Sequence, residues 1–297
     1  MCGIVGLFLK NSKLEPQLGS LLSAMLETMT ERGPDSAGFA IYGSDVLGVK
    51  LTLRGPDPAT LAGVISDLET ATGHSCQKSP RDTHTVLSVP AGAEAEVRAW
   101  LAAKAPGIDV VSAGQRMEIY KEVGLPASVA ERFDLAGMSG SHGIGHTRMA
   151  TESAVTTNGA HPFSTGLDEC LVHNGSLSNH NDLRRRLSRE GLTFATRNDT
   201  EVAAGYLTWR MREGASLGQA LQSSLTDLDG FFTFVVGTRT GFAVLRDPIA
   251  CKPAVMAETD DYVAFGSEYR ALVDLPGIAA ARVFEPEPAK VYAWERH

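Results

Sequence analysis

Long apolar runs are missing from this chain. No stretch approaches the roughly 18 to 20 apolar residues that span a bilayer, so nothing in it reads as a membrane segment. Cysteine is scarce. The four thiols, Cys2, Cys76, Cys170 and Cys251, form no CxxC pair and no metal-ligand spacing, which argues against a disulfide scaffold and a zinc site and fits a reducing cytoplasm. Positive charge is in deficit: 27 Lys and Arg against 35 Asp and Glu give a formal charge of -8, which disfavours nucleic acid or an anionic membrane as partner. A phosphate loop, a dinucleotide fingerprint and an Fe–S cysteine cluster are absent, as are repeats and low-complexity tracts. The first apolar run has no positively charged stretch before it, so no secretory leader is indicated. What remains is a globular composition, 43% hydrophobic and 21% charged over 297 residues, ample for a sizeable core.

The second residue is the most informative one. Removal of Met1 would leave a thiol and a free α-amine on Cys2, a nucleophile and a weak base already within reach of each other. A thiol near pKa 8.5 and an α-amine near roughly 7.8 suit that chemistry, because about one amine in seven is free base at neutral pH. Cys2 taken alone reads more readily as a small buried residue opening a first strand.

Short segments rich in Val, Ile and Phe, separated by Gly, Asp or Pro, predict strands at Ile4 to Leu9, Ala37 to Tyr42, Val46 to Leu53, Gly143 to Arg148 and Glu169 to His173. Further strands are expected at Phe231 to Gly237, Gly241 to Leu245, Tyr262 to Gly266, Arg282 to Glu285 and Lys290 to Trp294. Helical periodicity marks Leu18 to Thr30, Asn179 to Arg189, Glu201 to Arg212, Leu217 to Leu228 and Ser267 to Leu272. The pattern implies layered α and β elements with antiparallel pairing. Between residues 55 and 139 the chain changes character: a helix at Ala59 to Ala71, a polar loop, a strand at Thr85 to Val89, a helix at Glu94 to Lys104, a hairpin at Ile108 to Tyr120 and a short helix near Ser128 to Phe133. This stretch reads as a small α+β insert on one scaffold. The dense basic cluster Arg184-Arg185-Arg186 with Arg189 reads as a solvated helix face or an inter-chain contact.

Four short motifs follow Cys2-Gly3 in order: Arg32-Gly33-Pro34-Asp35-Ser36, Gly145-His146-Thr147-Arg148-Met149-Ala150-Thr151, Val172-His173-Asn174-Gly175 and Asn198-Asp199-Thr200-Glu201. Together they resemble the class II glutamine amidotransferases, enzymes that strip ammonia from the glutamine side chain. Arg246-Asp247-Pro248, Lys252-Pro253 and Gly266-Ser267-Glu268 resemble the tail of that family's domain, so the likeness covers residues 2–297. It implies an α+β fold of the N-terminal-nucleophile type, an αββα sandwich of two antiparallel sheets between helical layers. It also implies roles: Cys2 as nucleophile, with the Asn174 side-chain amide and the Gly175 backbone N–H as oxyanion donors, each worth roughly 3 to 4 kcal/mol in a dry site. Arg148 would take the substrate α-carboxylate through its guanidinium fork and Asp199 the α-ammonium. Thr151 would touch the substrate, and Arg32 would order the loop around Cys2.

Each assignment has a plainer counterpart in the residues themselves. Asn174-Gly175 is also the strongest two-residue hairpin signal, Asp199 is a plausible helix cap, and Arg32 sits in a Gly-Pro turn. His146 and His161 read as structural hydrogen-bonders, since the α-amine already fills the role of base. Two departures from the family pattern stand out: Glu152-Ser153 where many members carry His-Gly, and the insert of about 85 residues between the first two motifs. With no acceptor site visible on this chain, it most resembles the stand-alone amidotransferase subunits related to glutamate synthase, such as the amidotransferase component of N-methylglutamate synthase. That resemblance implies no cofactor here, and partner chains carrying FMN, Fe–S groups and the synthase chemistry. The competing functions are a non-catalytic regulatory or scaffold subunit of such a complex, and an N-terminal-nucleophile hydrolase of another amide.

Overall fold

The computed structural model describes residues 2–150 and 154–296; Thr151 and Glu152 therefore lie outside the described residues. Two large antiparallel sheets face each other. The first has seven strands in the order Arg282–Phe284, Val255–Glu258, Tyr262–Gly266, Gly3–Leu9, His142–Arg148, Ser36–Tyr42 and Met117–Val123. The second has five, in the order Val291–Glu295, Gly241–Arg246, Gly230–Gly237, Glu169–Leu177 and Phe163–Gly166.

Alternation along the strands decides which face each side chain takes. In Gly3–Leu9, Val5, Leu7 and Leu9 pack under the helix Leu18–Glu27, while Ile4 and Phe8 point between the sheets. Gly6 shares that inner face because a Cβ there would sit 2.8 Å from the Phe242 ring of the opposite sheet. Cys170, Val172, Val235, Phe242 and Val244 line the inner face of the five-stranded sheet, and its outer face packs on the helices His180–Arg189, Asp199–Arg212 and Leu217–Asp227. The result is the αββα sandwich, helix layer, sheet, sheet, helix layer.

A third antiparallel sheet, Gln77–Arg81, His84–Val89, Val49–Arg54 and Asp109–Gly114, packs with the helices Pro58–Thr72 and Glu94–Lys104 around a core of its own that includes Leu51, Leu61, Ile65, Leu87 and Leu101. The helix Pro58–Thr72 starts where Asp57 accepts the Thr60 N–H and Pro58 presets the first turn, and it stops at left-handed Gly73. The sequence drew this insert at 55–139, but its sheet is assembled from residues 49 to 114. Met117–Val123, expected as the second arm of a hairpin, instead forms the edge of the seven-stranded sheet beside Ser36–Tyr42. The cause is Asp168: its carboxylate accepts the backbone N–H groups of Gln115, Arg116 and Met117, which separates the two strands at the turn.

Two other expectations are corrected. Gln77–Arg81, read as polar loop, is a largely exposed edge strand. Ser267 to Leu272 is not a helix beyond the short 3-10 turn Tyr269–Ala271, because Ser267 is bonded to the first strand and Glu268 is extended and bonded to Arg32. Phe242, fully buried between the sheets against Phe8 and Trp294, is the residue on which inter-sheet packing should depend most. Phe242→Ala should cost about 3 to 5 kcal/mol in equilibrium denaturant unfolding, and a loss below about 1 kcal/mol would contradict this account of the layer.

Candidate active site

The polar motifs gather at one end of the inter-sheet layer because their side chains share its parity. Cys2 continues the inner row of Ile4, Gly6 and Phe8, and Asn174 continues that of Cys170 and Val172. His146 and Arg148 continue the row of Ile144. Gly3 pairs with Thr147, so the next step of that register sets Cys2 alongside Arg148.

Cys2 is half-buried, and its carbonyl accepts two side-chain donors: Asn174 Nδ2 at 3.2 Å from the opposite sheet and Arg32 Nε at 3.0 Å. Arg32 also donates through Nη1 to Glu268 Oε1 at 2.7 Å, and Arg270 meets the other oxygen of Glu268. The Arg32 guanidinium, with Arg270, holds the Glu268 carboxyl below its usual range. Arg32 is thus bonded to Cys2 and to Glu268. Ser267 brackets Ile4, two residues on from Cys2, its Oγ accepting the Ile4 N–H and its N–H donating to the Ile4 carbonyl. Gly3 is required beneath, since a Cβ would lie 2.7 Å from Met29 Cβ and 2.8 Å from Thr147 Oγ1.

Asn174 and Gly175 do not form a turn. They lie inside the strand Glu169–Leu177, opposite Thr233 and Phe232. At Gly175, φ is 154° and a Cβ would fall 1.9 Å from the Phe231 carbonyl oxygen, so only glycine fits. Two residues further on, the Leu177 N–H donates to Asp199 Oδ2 at 2.9 Å. Asp199 is the first residue of the helix Asp199–Arg212, and the cap is Asn198, whose side chain accepts the Thr200 N–H. Arg148 is buried at 8% exposure, and its Nη1 reaches the Ala154 carbonyl at 3.4 Å. The motif Arg32-Gly33-Pro34-Asp35 packs on the same strand end: Asp35 accepts the Ala150 N–H and donates its own N–H to the Arg148 carbonyl.

Behind this cluster three buried histidines, His146, His161 and His173, are linked by contacts to one another and to Thr200. His146 Nε2 meets the His173 carbonyl at 3.1 Å, His146 stacks on His161 at 3.9 Å, and Thr200 Oγ1 lies 3.0 Å from His173 Nδ1 and 3.3 Å from His161 Nε2. Burial pushes His146 down to about 3, and it also lowers His161 and His173. His173 Nδ1 lies 3.8 Å from Asp199 Oδ1, whose charge opposes the lowering that burial imposes on the imidazole. Of these residues the sequence singles out Cys2, Arg32, His146, Arg148, His161, Asn174, Gly175 and Asp199; Asp35, His173, Asn198, Thr200, Ser267 and Glu268 lie within the quoted motifs, and Arg270 lies outside them. Among the described residues no cluster of His, Cys, Asp and Glu is arranged to hold a metal ion, and no helix is long and apolar enough to cross a membrane.

Comparison with known proteins agrees with this geometry. A glutamine amidotransferase domain model matches residues 146–274. The chain is 66% identical over 297 residues to the glutamine amidotransferase-like protein GlxB of Rhizobium meliloti, covering 99% of this chain and 98% of that protein. The chain belongs to the class II glutamine amidotransferases. It is also 32% identical to a putative glutamine amidotransferase of Methanothermobacter thermautotrophicus, over 98% of this chain and 99% of that one. The fold matches that of the glutamine phosphoribosylpyrophosphate amidotransferase of B. subtilis with a TM-score of 0.63 at 20% identity, across 99% of this chain and 47% of that longer chain.

The neutral histidines carry a pH consequence. A histidine pushed below its unfolded pKa near 6.5 adds nothing to the pH dependence above that value, and costs stability as pH falls and only the unfolded chain takes up the proton. His146→Gln should therefore flatten the loss of unfolding free energy between about pH 6 and pH 4 by about 1.4 kcal/mol per pH unit. Denaturant midpoints measured across that range check this, and an unchanged slope would mean that His146 titrates normally.

Proposed function

We propose that this amidotransferase domain hydrolyses glutamine through Cys2 and delivers ammonia to a partner synthase. With Met1 removed, the α-amine of Cys2 accepts the thiol proton as sulfur attacks the γ-carboxamide carbon. Collapse of the tetrahedral intermediate breaks the C–N bond, and the amide nitrogen leaves as ammonia with that proton. Water then cleaves the γ-glutamyl thioester to glutamate and restores the thiol. Asn174 Nδ2 and the Gly175 N–H face the developing oxyanion. Arg148 pairs with the substrate α-carboxylate, Asp199 with its α-ammonium, Thr151 touches the substrate, and Arg32 holds Cys2 in place.

The observation that carries this proposal is the hydrogen bond from Asn174 Nδ2 to the Cys2 carbonyl. That bond supports the reading because Asn174 of one sheet lies within a residue's reach of Cys2, just before the first strand of the other. Asp199 supports it further, since one carboxylate oxygen accepts a backbone N–H and the other lies beside Thr200, a fixed orientation suited to gripping an ammonium. The acceptor chemistry belongs to the partner, which we take to be glutamate-synthase-like and to carry FMN and Fe–S groups.

A glutamine-mimicking diazoketone should add one covalent label to Cys2 and none to Cys2→Ala; unlabelled protein lacking Met1, assayed with its partner present, would overturn the reading. Asn174→Ala should lower glutamate release about 10²- to 10³-fold with little change in KM, whereas Arg148→Ala should act mainly on KM. Equal effects on both parameters at both positions would mean these two roles are wrongly assigned.

A further inference from the structure

Among the described residues, Lys121 is a buried cation with no carboxylate in contact. It belongs to Met117–Val123, the strand that returns from the small sheet to the edge of the large one, and its parity with Met117 and Ile119 turns it into the inter-sheet layer. Its Nζ donates to three backbone carbonyls, Ala160 at 2.8 Å and Asn158 and Pro162 at 3.3 Å each, and lies 4.4 Å from the centre of the Phe163 ring. Room for this comes from Gly38 on the neighbouring strand, where a Cβ would fall 2.2 Å from the His161 carbonyl oxygen and 2.5 Å from Lys121 Cβ. The next residue, Glu122, accepts a hydrogen bond from Thr157 Oγ1 of the same segment.

That segment joins the two groups that grip the substrate. Arg148 Nη1 reaches the Ala154 carbonyl, a Cβ on Gly159 would lie 3.4 Å from the same nitrogen, and Asn198 Nδ2, beside Asp199, reaches the Gly159 carbonyl at 3.5 Å. We propose that Lys121 is a positioning residue for glutamine: its ammonium, clasped by the carbonyls of Asn158, Ala160 and Pro162, sets the segment that spans the Arg148 and Asp199 clamps. A cation in a dry site supplies three charge-assisted donors at once, and a segment lacking them leaves buried carbonyls unpaired. The inference rests on the glutamine-hydrolysing reading above.

The test is the concentration dependence of Cys2 labelling by the diazoketone on the full chain, which separates the reagent's KI from the limiting rate. Lys121→Met should raise KI about tenfold or more with the limiting rate within about threefold of wild type, and Lys121→Gln, which keeps amide donors, should fall between them. A wild-type KI in Lys121→Met, or equal losses in both parameters, overturns the inference; no labelling of the wild type overturns the glutamine reading itself and this inference with it. The wild type provides a second measurement that needs no variant to fold. Burial lowers Lys121 to about 8, opposed by the charges of Glu201 and Asp109 and reinforced by Arg54, with His161 and His84 close enough to feel it. KI, corrected for the reagent's own amine, should therefore rise from about pH 7 to about pH 9 as the ammonium loses its proton, and a KI that falls across that range overturns the proposal.

Discussion

One carbonyl oxygen, that of Cys2, organises the working end of this molecule. It receives an amide from one sheet and a guanidinium from the loop before Ser36–Tyr42, so the first described residue is held from two directions although the chain stops pairing there. Everything else near it fixes those donors. Glu268 and Arg270 hold Arg32, Ser267 holds Ile4, and the unbroken strand on either side of Asn174 holds the amide. A chain end has high conformational entropy, and ordering it takes this many bonds acting on one short segment.

The two-sheet architecture supplies the second constraint. Its interior is apolar along most of its length and abruptly polar at one end, where His146, Asn174, Arg148 and Lys121 enter on the same inner parity as Ile144, Val172 and Ile119. Buried polar groups are tolerable only when partnered, and here the partners are largely backbone carbonyls: that of His173 for His146, that of Cys2 for Asn174, and three for Lys121. Neutral imidazoles suit this arrangement, since they bridge the sheets without bringing charge into the layer. Arg148 and Lys121 are the residues of this group that carry charge inward, and Asp199 waits at a helix start, where a carboxylate is favoured.

Legibility in the sequence follows how local the signal was. The helix Glu94–Lys104 and the strands around the motifs were readable because alternation or helical period coincides with burial. Gln77–Arg81 was not, because an exposed edge strand containing Pro80 has no apolar period to detect. The split between Asp109–Gly114 and Met117–Val123 depends on Asp168, about fifty residues away in the chain, and no local pattern contains it. The arginine cluster shows the same limit. Arg184 donates to the carbonyls of Thr196 and Asn198 and lies over Phe194, Arg186 lies over Trp209 and Arg185 pairs with Asp182, so three of the four arginines are engaged within their own fold.

This dependence on distant partners bears on what the small sheet contributes. It has a separate core, yet its exit strand is the edge of the large sheet and presents Lys121 and Glu122 to the segment between Arg148 and Asn198. Its entry strand, Val49–Arg54, follows directly from Ser36–Tyr42, which pairs with the strand bearing Arg148. The insert is therefore joined at both ends to strands packed beside Arg148 and the segment that follows it. The small sheet is thus tied to the strand bearing Arg148 through covalent strands and buried hydrogen bonds, connections that a solvent-facing loop of the same length would not make.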